Sequence, residues 1–394
     1  MIHRPLLFLL AALAAFAPLA IDLYLPSLAH IADDLNTSGG LAEQTVTVFL
    51  AGFALGMLFY GPLSDRYGRR KMIFAGTTVF VLASLACMLA QSIEQLLVFR
   101  VIQAFGGGAA AVVSRAVVRD LFAESEAARV MAMIGMVTSL APMLAPLAGA
   151  WILLVGTWRH EFLALAVFGG LCMIGAHRLL PETLSTTRSQ TSLKQAFKGY
   201  FHVLRQPGSL WLIGTGGCHF AAMFAYITGT PLVYMGLFGV GESTYALLFG
   251  ANIASLMVFG WYSARHVRRL GTRPLIVWGN TACVGGAVLV WIAAWLMPVG
   301  PLALGTMVTG FLLSVGSLGW VAPNTMAQLL EKHPRNAGAA AALYGFAQFG
   351  LGGLASLGVS LAHNGSAHPM ANGVMLFAAM AMACRLGFTR NSEC

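Results

Sequence analysis

Gly61-Pro62-Leu63-Ser64-Asp65-Arg66-Tyr67-Gly68-Arg69-Arg70-Lys71 is a short, strongly charged stretch between two apolar runs, residues 42–62 and 72–91. The chain has 394 residues, of which 58% are hydrophobic and only 9% are Asp, Glu, Lys or Arg, so a cluster of cations marks a boundary. Soluble domains carry about 25% charged residues, and so apolar a chain has no reason to stay solvated and disordered. A water-soluble enzyme and a disordered chain are therefore excluded. A bilayer is crossed by about 20 apolar residues, so the length holds roughly a dozen crossings.

Working outward from that loop, apolar runs interrupted by Gly, Pro and charge predict helices at 5–28, 42–62, 72–91, 96–118, 130–154 and 160–180. A second set falls at 208–236, 244–264, 273–296, 301–330, 336–362 and 369–388. Pro181–Pro207, the longest polar segment, separates them. The expected fold is an all-α polytopic membrane protein of two six-helix bundles, 1–180 and 208–394, joined by a cytoplasmic linker at 181–207. The start, Met1-Ile2-His3-Arg4 before an apolar run, imitates a secretory signal. The run continues to Leu25-Pro26, which favours a retained first span.

With both termini inside, 21 of the 23 Lys and Arg residues fall on the cytoplasmic side. They include Arg4, Arg115, Arg119, Arg129, Arg188, Lys194, Arg268, Arg269, Lys332, Arg335 and Arg390. Arg159 lies outside and Arg100 inside the fourth span. The positive-inside rule thus supports both span number and orientation, and the net charge of +9 reflects topology rather than a nucleic-acid partner. The loop after span 8, Arg269-Leu270-Gly271-Thr272-Arg273, repeats the R-x-G-x-R of Arg66–Arg70, which argues for two parallel repeats, a recurrent transporter plan.

Of 14 acids, six fall in or beside outer connections (Asp33, Asp34, Glu43, Glu94, Glu161, Glu242) and seven on the inner side (Asp65, Asp120, Glu124, Glu126, Glu182, Glu331, Glu393). Asp22 alone remains inside a span. An ionised carboxylate there costs several kcal/mol unless it meets a wet cavity, a partner or a proton. At about 1.5 Å per residue, Asp22 and Arg100 reach similar depth, so the pair is expected to carry proton coupling. A fixed salt bridge with no transport role is the structural alternative. A single buried acid argues against obligatory transport of dications.

Tyr24, two residues beyond Asp22, reads as an interfacial aromatic or a substrate contact. Gln103 shares a helix face with Arg100. His219, Asn252 and Asn324 either line a cavity or bond between helices, and a satisfied core histidine is the simpler reading of His219. Gly106-Gly107-Gly108 in span 4 reads as close helix packing. Pro142 and Pro146 should kink or soften span 5. The six cysteines fit no disulfide or metal framework, and no HExxH, GxSxG or Walker A sequence is present. No enzymatic constellation is therefore expected.

The loop quoted at the outset resembles the signature between spans 2 and 3 of the major facilitator superfamily. Arg100-Val101-Ile102-Gln103-Ala104 resembles its R-x-x-Q-G motif, and Ala141-Pro142-Met143-Leu144-Ala145-Pro146-Leu147-Ala148-Gly149-Ala150 its antiporter motif, with alanines where glycines are usual. With Ile21-Asp22-Leu23-Tyr24-Leu25-Pro26, these look like the Bcr/CflA drug-resistance exporters. The resemblance implies the major facilitator fold and a monomeric drug/H+ antiporter of the bacterial inner membrane. It would be driven by the proton gradient without a cofactor and would export small apolar antibiotics of phenicol or bicyclomycin type. It also implies a gating role for Asp65, Arg69 and Asp120. A proton-coupled transporter of an amino acid or sugar is the alternative.

Overall fold

The computed structural model describes residues 4–122, 124–184, 193–206 and 208–392. Of the residues singled out above, Met1, Ile2, His3, Arg188, Pro207, Glu393 and Cys394 lie outside the described residues, as do the side chains of Arg4, Glu124, Lys194, Arg335 and Arg390. No strand occurs among the described residues. The helices are α1 (Arg4–Ala14), α2 (Phe16–Asp22), α3 (Leu28–Asp34), α4 (Gly39–Tyr67), α5 (Arg69–Met88), α6 (Ile93–Leu121), α7 (Glu124–Val155) and α8 (Trp158–Leu179). After the linker helix α9 (Leu193–Arg205) come α10 (Ser209–Pro231), α11 (Glu242–Leu270), α12 (Thr272–Trp295), α13 (Pro301–Gly316), α14 (Leu318–Lys332), α15 (Ala337–Leu361) and α16 (His368–Ser392). Among the described residues, eleven helical segments are long and apolar enough to cross a membrane, and a twelfth exists if the bent pair Pro5–Ala14 and Phe16–Asp34 is one span.

That pair bends by 48° at Ala15. Pro18 has no N–H for the carbonyl of Ala14, and its ring presses on that turn. Pro26 likewise supplies no amide to the carbonyl of Asp22, and the chain passes through a 3-10 turn at Leu25–Ser27. Span 1 is therefore broken twice, and Asp22 ends the middle piece. Span 10 also breaks, between α13 and α14 at Ser317. By contrast α7 runs as one helix through Pro142 and Pro146.

The chain forms two compact units, Met1–Ile31 with Val48–Lys198, and Ala32–Thr47 with Gly199–Cys394. In the first, α5 packs on α6 and α8. The glycines of α6 make this possible: a Cβ on Gly106 would lie 2.7 Å from the Gly76 carbonyl oxygen, and one on Gly108 2.9 Å from the Gly56 Cα. In the second, α10 packs on α15 and α16, and α12 on α13.

Burial of acids differs from the sequence expectation. Glu43 and Glu161 stand at the starts of α4 and α8, beside connections, but are 1% and 0% exposed, so Asp22 is not the single buried acid. The argument against dications that rested on that count falls with it. Hydropathy treats an acid near a span end as a loop marker, but α4 already begins at Gly39. Glycine at position 40 lets α4 approach the carbonyl of Ser360, which a Cβ there would meet at 2.6 Å, and Glu43 is carried inside. Its Oε1 lies 3.7 Å from His363 Nδ1. Glu161 sits in the first turn of α8, where the helix dipole favours an acid, and accepts a hydrogen bond of 2.6 Å from Ser27 Oγ.

Candidate functional site

In the first unit, Arg100 is fully buried in α6. Burying a guanidinium requires that its donors be used and its charge be met. Nη1 donates to the carbonyl of Ala20 at 3.0 Å and to Gln103 Oε1 at 2.6 Å. The planar group lies over the rings of Phe49 (4.3 Å), Tyr24 (4.4 Å) and Phe162 (5.7 Å), in cation–π geometry. Gln103 passes the network on, since its Nε2 donates to Ser84 Oγ at 2.7 Å and Ser84 Oγ donates to the carbonyl of Phe80.

Asp22 lies two residues beyond the carbonyl that Arg100 holds. It is 3% exposed, and its Oδ1 has no hydrogen-bond partner. Among the described residues no ion pair joins Asp22 to Arg100. Gly149 of α7 comes so close to the Asp22–Leu23 turn that a Cβ there would overlap the Leu23 carbonyl oxygen. The structure thus brings Tyr24, Arg100 and Gln103 into contact, with Asp22 two residues along the chain from the Ala20 carbonyl that Arg100 holds. Tyr24 is fully buried under the guanidinium rather than standing at an interface, and both ends of the Gln103 amide are committed to protein partners.

A second cluster occupies the α4–α5 turn. Gly68 has φ of 104°, a backbone conformation that L side chains rarely adopt. The turn releases the first amides of α5 toward Glu182, whose Oε1 accepts from Arg69 N at 2.8 Å and whose Oε2 accepts from Arg70 N at 3.3 Å. A carboxylate suits the positive end of a helix. Arg69 then reaches three partners: Asp65 at 2.5 Å, Ser64 Oγ at 2.6 Å and Asp120 Oδ2 at 3.0 Å. Thr183 Oγ1 adds a bond to Asp120. The sequence-expected residues Asp65, Arg69 and Asp120 are therefore in direct contact. Sequence reasoning missed Glu182 as a member of the cluster. A glycine followed by cations at a helix start is the signal that could have found it.

The remaining expected residues lie in the second unit and serve helix–helix contacts. His219 Nε2 lies 3.2 Å from the Ser314 carbonyl oxygen and 3.0 Å from Ser317 Oγ, at the break in span 10. Asn252 donates to Tyr226 Oη and to the Leu248 carbonyl, both at 3.0 Å. Asn324 donates to Ser263 Oγ and to the Trp320 carbonyl. These three are not brought to one point. The prolines of span 5 lie on one helix, with Pro146 buried and Pro142 partly exposed.

A charged turn after span 2 and a buried arginine in span 4 stand in one unit of this chain. Residues 10–357 match the Major Facilitator Superfamily. The chain belongs to that superfamily. It is 34% identical over 370 residues to an MFS-type transporter of Bacillus subtilis, covering 90% of each chain. It is 30% identical to the bicyclomycin resistance protein homolog of Haemophilus influenzae, covering 92% of this chain and 90% of that one. It is also 30% identical to multidrug resistance protein D of Escherichia coli, covering 91% and 90%. The major facilitator fold is equally plain in three dimensions: a D-xylose–proton symporter superposes with a TM-score of 0.73 at 16% identity, over 98% of this chain and 96% of that one. The Bcr/CflA resemblance, densest in residues 1–185, is thus matched by drug-resistance relatives aligned over about nine-tenths of the chain, and the protein is a multi-pass membrane transporter.

Proposed function

We propose that this chain is a proton-coupled exporter of small, mostly apolar antibiotics of phenicol or bicyclomycin type, acting by alternating access in the bacterial inner membrane. The proposed arrangement is two bundles, 1–180 and 208–394, with both termini and the linker at 181–207 on the cytoplasmic side. The observation that carries this reading is the Asp22 carboxyl, buried, with one oxygen unpartnered, two residues along the chain from the carbonyl that a buried arginine holds. Ala20, Gln103 and three aromatic rings keep the Arg100 charge in place whatever Asp22 does. Asp22 is therefore left to exchange a proton for a substrate. Drug entering from the cytoplasm displaces the proton, and reprotonation from the opposite side resets the cycle.

The names of the relatives from Haemophilus and Escherichia support drug export. So does the chemistry of the polar side chains. A sugar or amino acid demands several fixed hydrogen-bonding groups, whereas both ends of the Gln103 amide and the Nδ2 of Asn324 already serve protein partners. The Asp65–Arg69–Asp120 cluster is assigned to gating: it clamps the α4–α5 turn to the end of α6, and the prolines of α7 soften a neighbouring helix. Everted vesicles test the whole reading. Wild-type phenicol transport should collapse with an uncoupler, and Asp22→Asn should lack the uncoupler-sensitive part. Full proton-driven transport by Asp22→Asn would refute the assignment.

A further inference from the structure

Residues Ala32–Thr47, which include the start of α4, belong to the second unit, whereas α4 from Val48 onward belongs to the first. Two glycines and a column of polar side chains seat that start. A Cβ on Gly40 would meet the Ser360 carbonyl oxygen at 2.6 Å, and one on Gly39 would meet Leu232 at 2.9 Å and His363 Nε2 at 3.5 Å. Glu43 and Thr47 follow on the face of Gly40, one turn apart. Thr47 Oγ1 lies 2.6 Å from Ser356 Oγ, which also accepts from Thr228 Oγ1 at 2.8 Å. These hydroxyls join α4, α10 and α15, and they satisfy one another.

Glu43 is not satisfied. It is 1% exposed, and its Oε2 has no hydrogen-bond partner. His363 Nδ1 lies 3.7 Å from Oε1, whereas a charge-assisted N–H···O bond is about 2.7–2.9 Å long. No imidazolium–carboxylate bond is made at that distance. The other titratable groups of the neighbouring segments do not meet the carboxyl among the described residues. His30, Asp33 and Asp34 of α3 are exposed, and Glu242 at the start of α11 is half-buried. The Tyr234 hydroxyl is enclosed without a partner. His368, at the start of α16, stacks on Trp295 and lies 3.1 Å from the Ala294 carbonyl oxygen. A carboxylate enclosed and unpaired is strongly disfavoured, and taking up a proton removes the penalty. The His363 side chain is 28% exposed, so its ring spans from the enclosed carboxyl to solvent.

We propose that Glu43 and His363 form a proton-binding site separate from Asp22, in which Glu43 holds the proton and His363 passes it to and from water. In the outward transfer the Glu43 O–H bond breaks and an N–H bond forms at His363 Nδ1. The imidazolium then yields a proton to water, leaving a carboxylate and a neutral ring. While the proton stays on Glu43, no charge stands where Gly40 seats α4 on α15, so the proton also keeps that contact closed. In the orientation proposed above, the site faces the outer side, from which protons enter. Only that placement rests on the export reading; proton binding by the pair does not.

The test uses full-length Asp22→Asn protein in detergent, so that the acid assigned to coupling is absent and its failure is read separately. Infrared spectra at neutral pH should show the C=O band of a protonated carboxyl, and Glu43→Gln, of similar size, should remove it. In D2O the band should shift as fast as mixing. His363→Phe should slow that shift at least about tenfold, as loss of an acid–base group does. His368→Phe, which keeps a ring against Trp295, should leave the rate unchanged. If Glu43→Gln fails to fold, the exchange rates of the two histidine variants decide. Absence of the band, or its survival in Glu43→Gln, would show that Glu43 carries no proton and overturn the proposal. Exchange as fast in His363→Phe as in its parent would remove His363 from the path and overturn the pairing.

Discussion

Arg100 shows how one residue organises the site. A guanidinium is planar and presents five donors in a fixed fork, so it can bond Ala20 and Gln103 while lying flat on Tyr24 and Phe49. A lysine has a point charge and no plane. Arg100→Lys should therefore lower Tm in detergent and abolish coupled efflux, and retention of both would show that the charge alone suffices. His333 offers a pH test outside the spans. Its Nε2 meets Ser209 Oγ at 2.7 Å. Burial, with the nearby His202 and Lys332 charges, holds it below the ordinary imidazole value. The unfolded chain takes up this proton near pH 6.5 and the folded one only at lower pH. Its stabilising contribution is thus complete above about pH 6.5 and is lost as pH falls toward the depressed value. The drop in Tm from neutral to mildly acidic pH should be smaller in His333→Asn; an unchanged drop would remove His333 as its cause. Asp22 and Arg100 were legible in the sequence because each violates hydropathy. That they do not pair was not legible, because the partner Arg100 takes is the Ala20 carbonyl in a broken span. Glu43 and Glu161 escaped for the opposite reason, since near a span end an acid is ordinarily solvated.

At the scale of elements, close approach decides what the sequence tolerates. Gly149 faces the Leu23 carbonyl at a distance that leaves no room for a methyl group. Gly149→Ala must push α7 away from the turn that holds Asp22, at a cost of about 1–3 kcal/mol. It should lower both Tm and efflux, whereas Gly170→Ala, with open space around it, should change neither. Equal behaviour of the two would mean that the α7–Asp22 contact is not needed. The α4–α5 turn should behave differently. Arg69→Gln leaves Asp120, 7% exposed, without its guanidinium. It should reduce turnover while equilibrium drug affinity stays within a few-fold, and a large loss of affinity would move Arg69 into binding. The span pattern was readable from apolar runs to within a few residues for α12 and α15. The breaks at Ala15 and Ser317 were not, because a hydropathy window averages over a single turn.

At the scale of the whole molecule, each of the two units is organised by its own polar contacts. The first unit holds the ionic turn and the arginine–aromatic cage. The second holds the Glu43–His363 contact and the helix–helix hydrogen bonds of His219, Asn252 and Asn324. The positive-inside pattern predicts that Lys198, an exposed residue of the linker helix α9, lies on the cytoplasmic side. In a background without reactive thiols, Lys198→Cys should be labelled by an impermeant maleimide in everted vesicles and not in intact cells; the reverse would invert the orientation. The central claim concerns the proton itself. Adding a phenicol antibiotic to the purified protein in weakly buffered detergent should release protons from the wild type, and none from Asp22→Asn at the same drug occupancy. Equal proton release by the two proteins would contradict it.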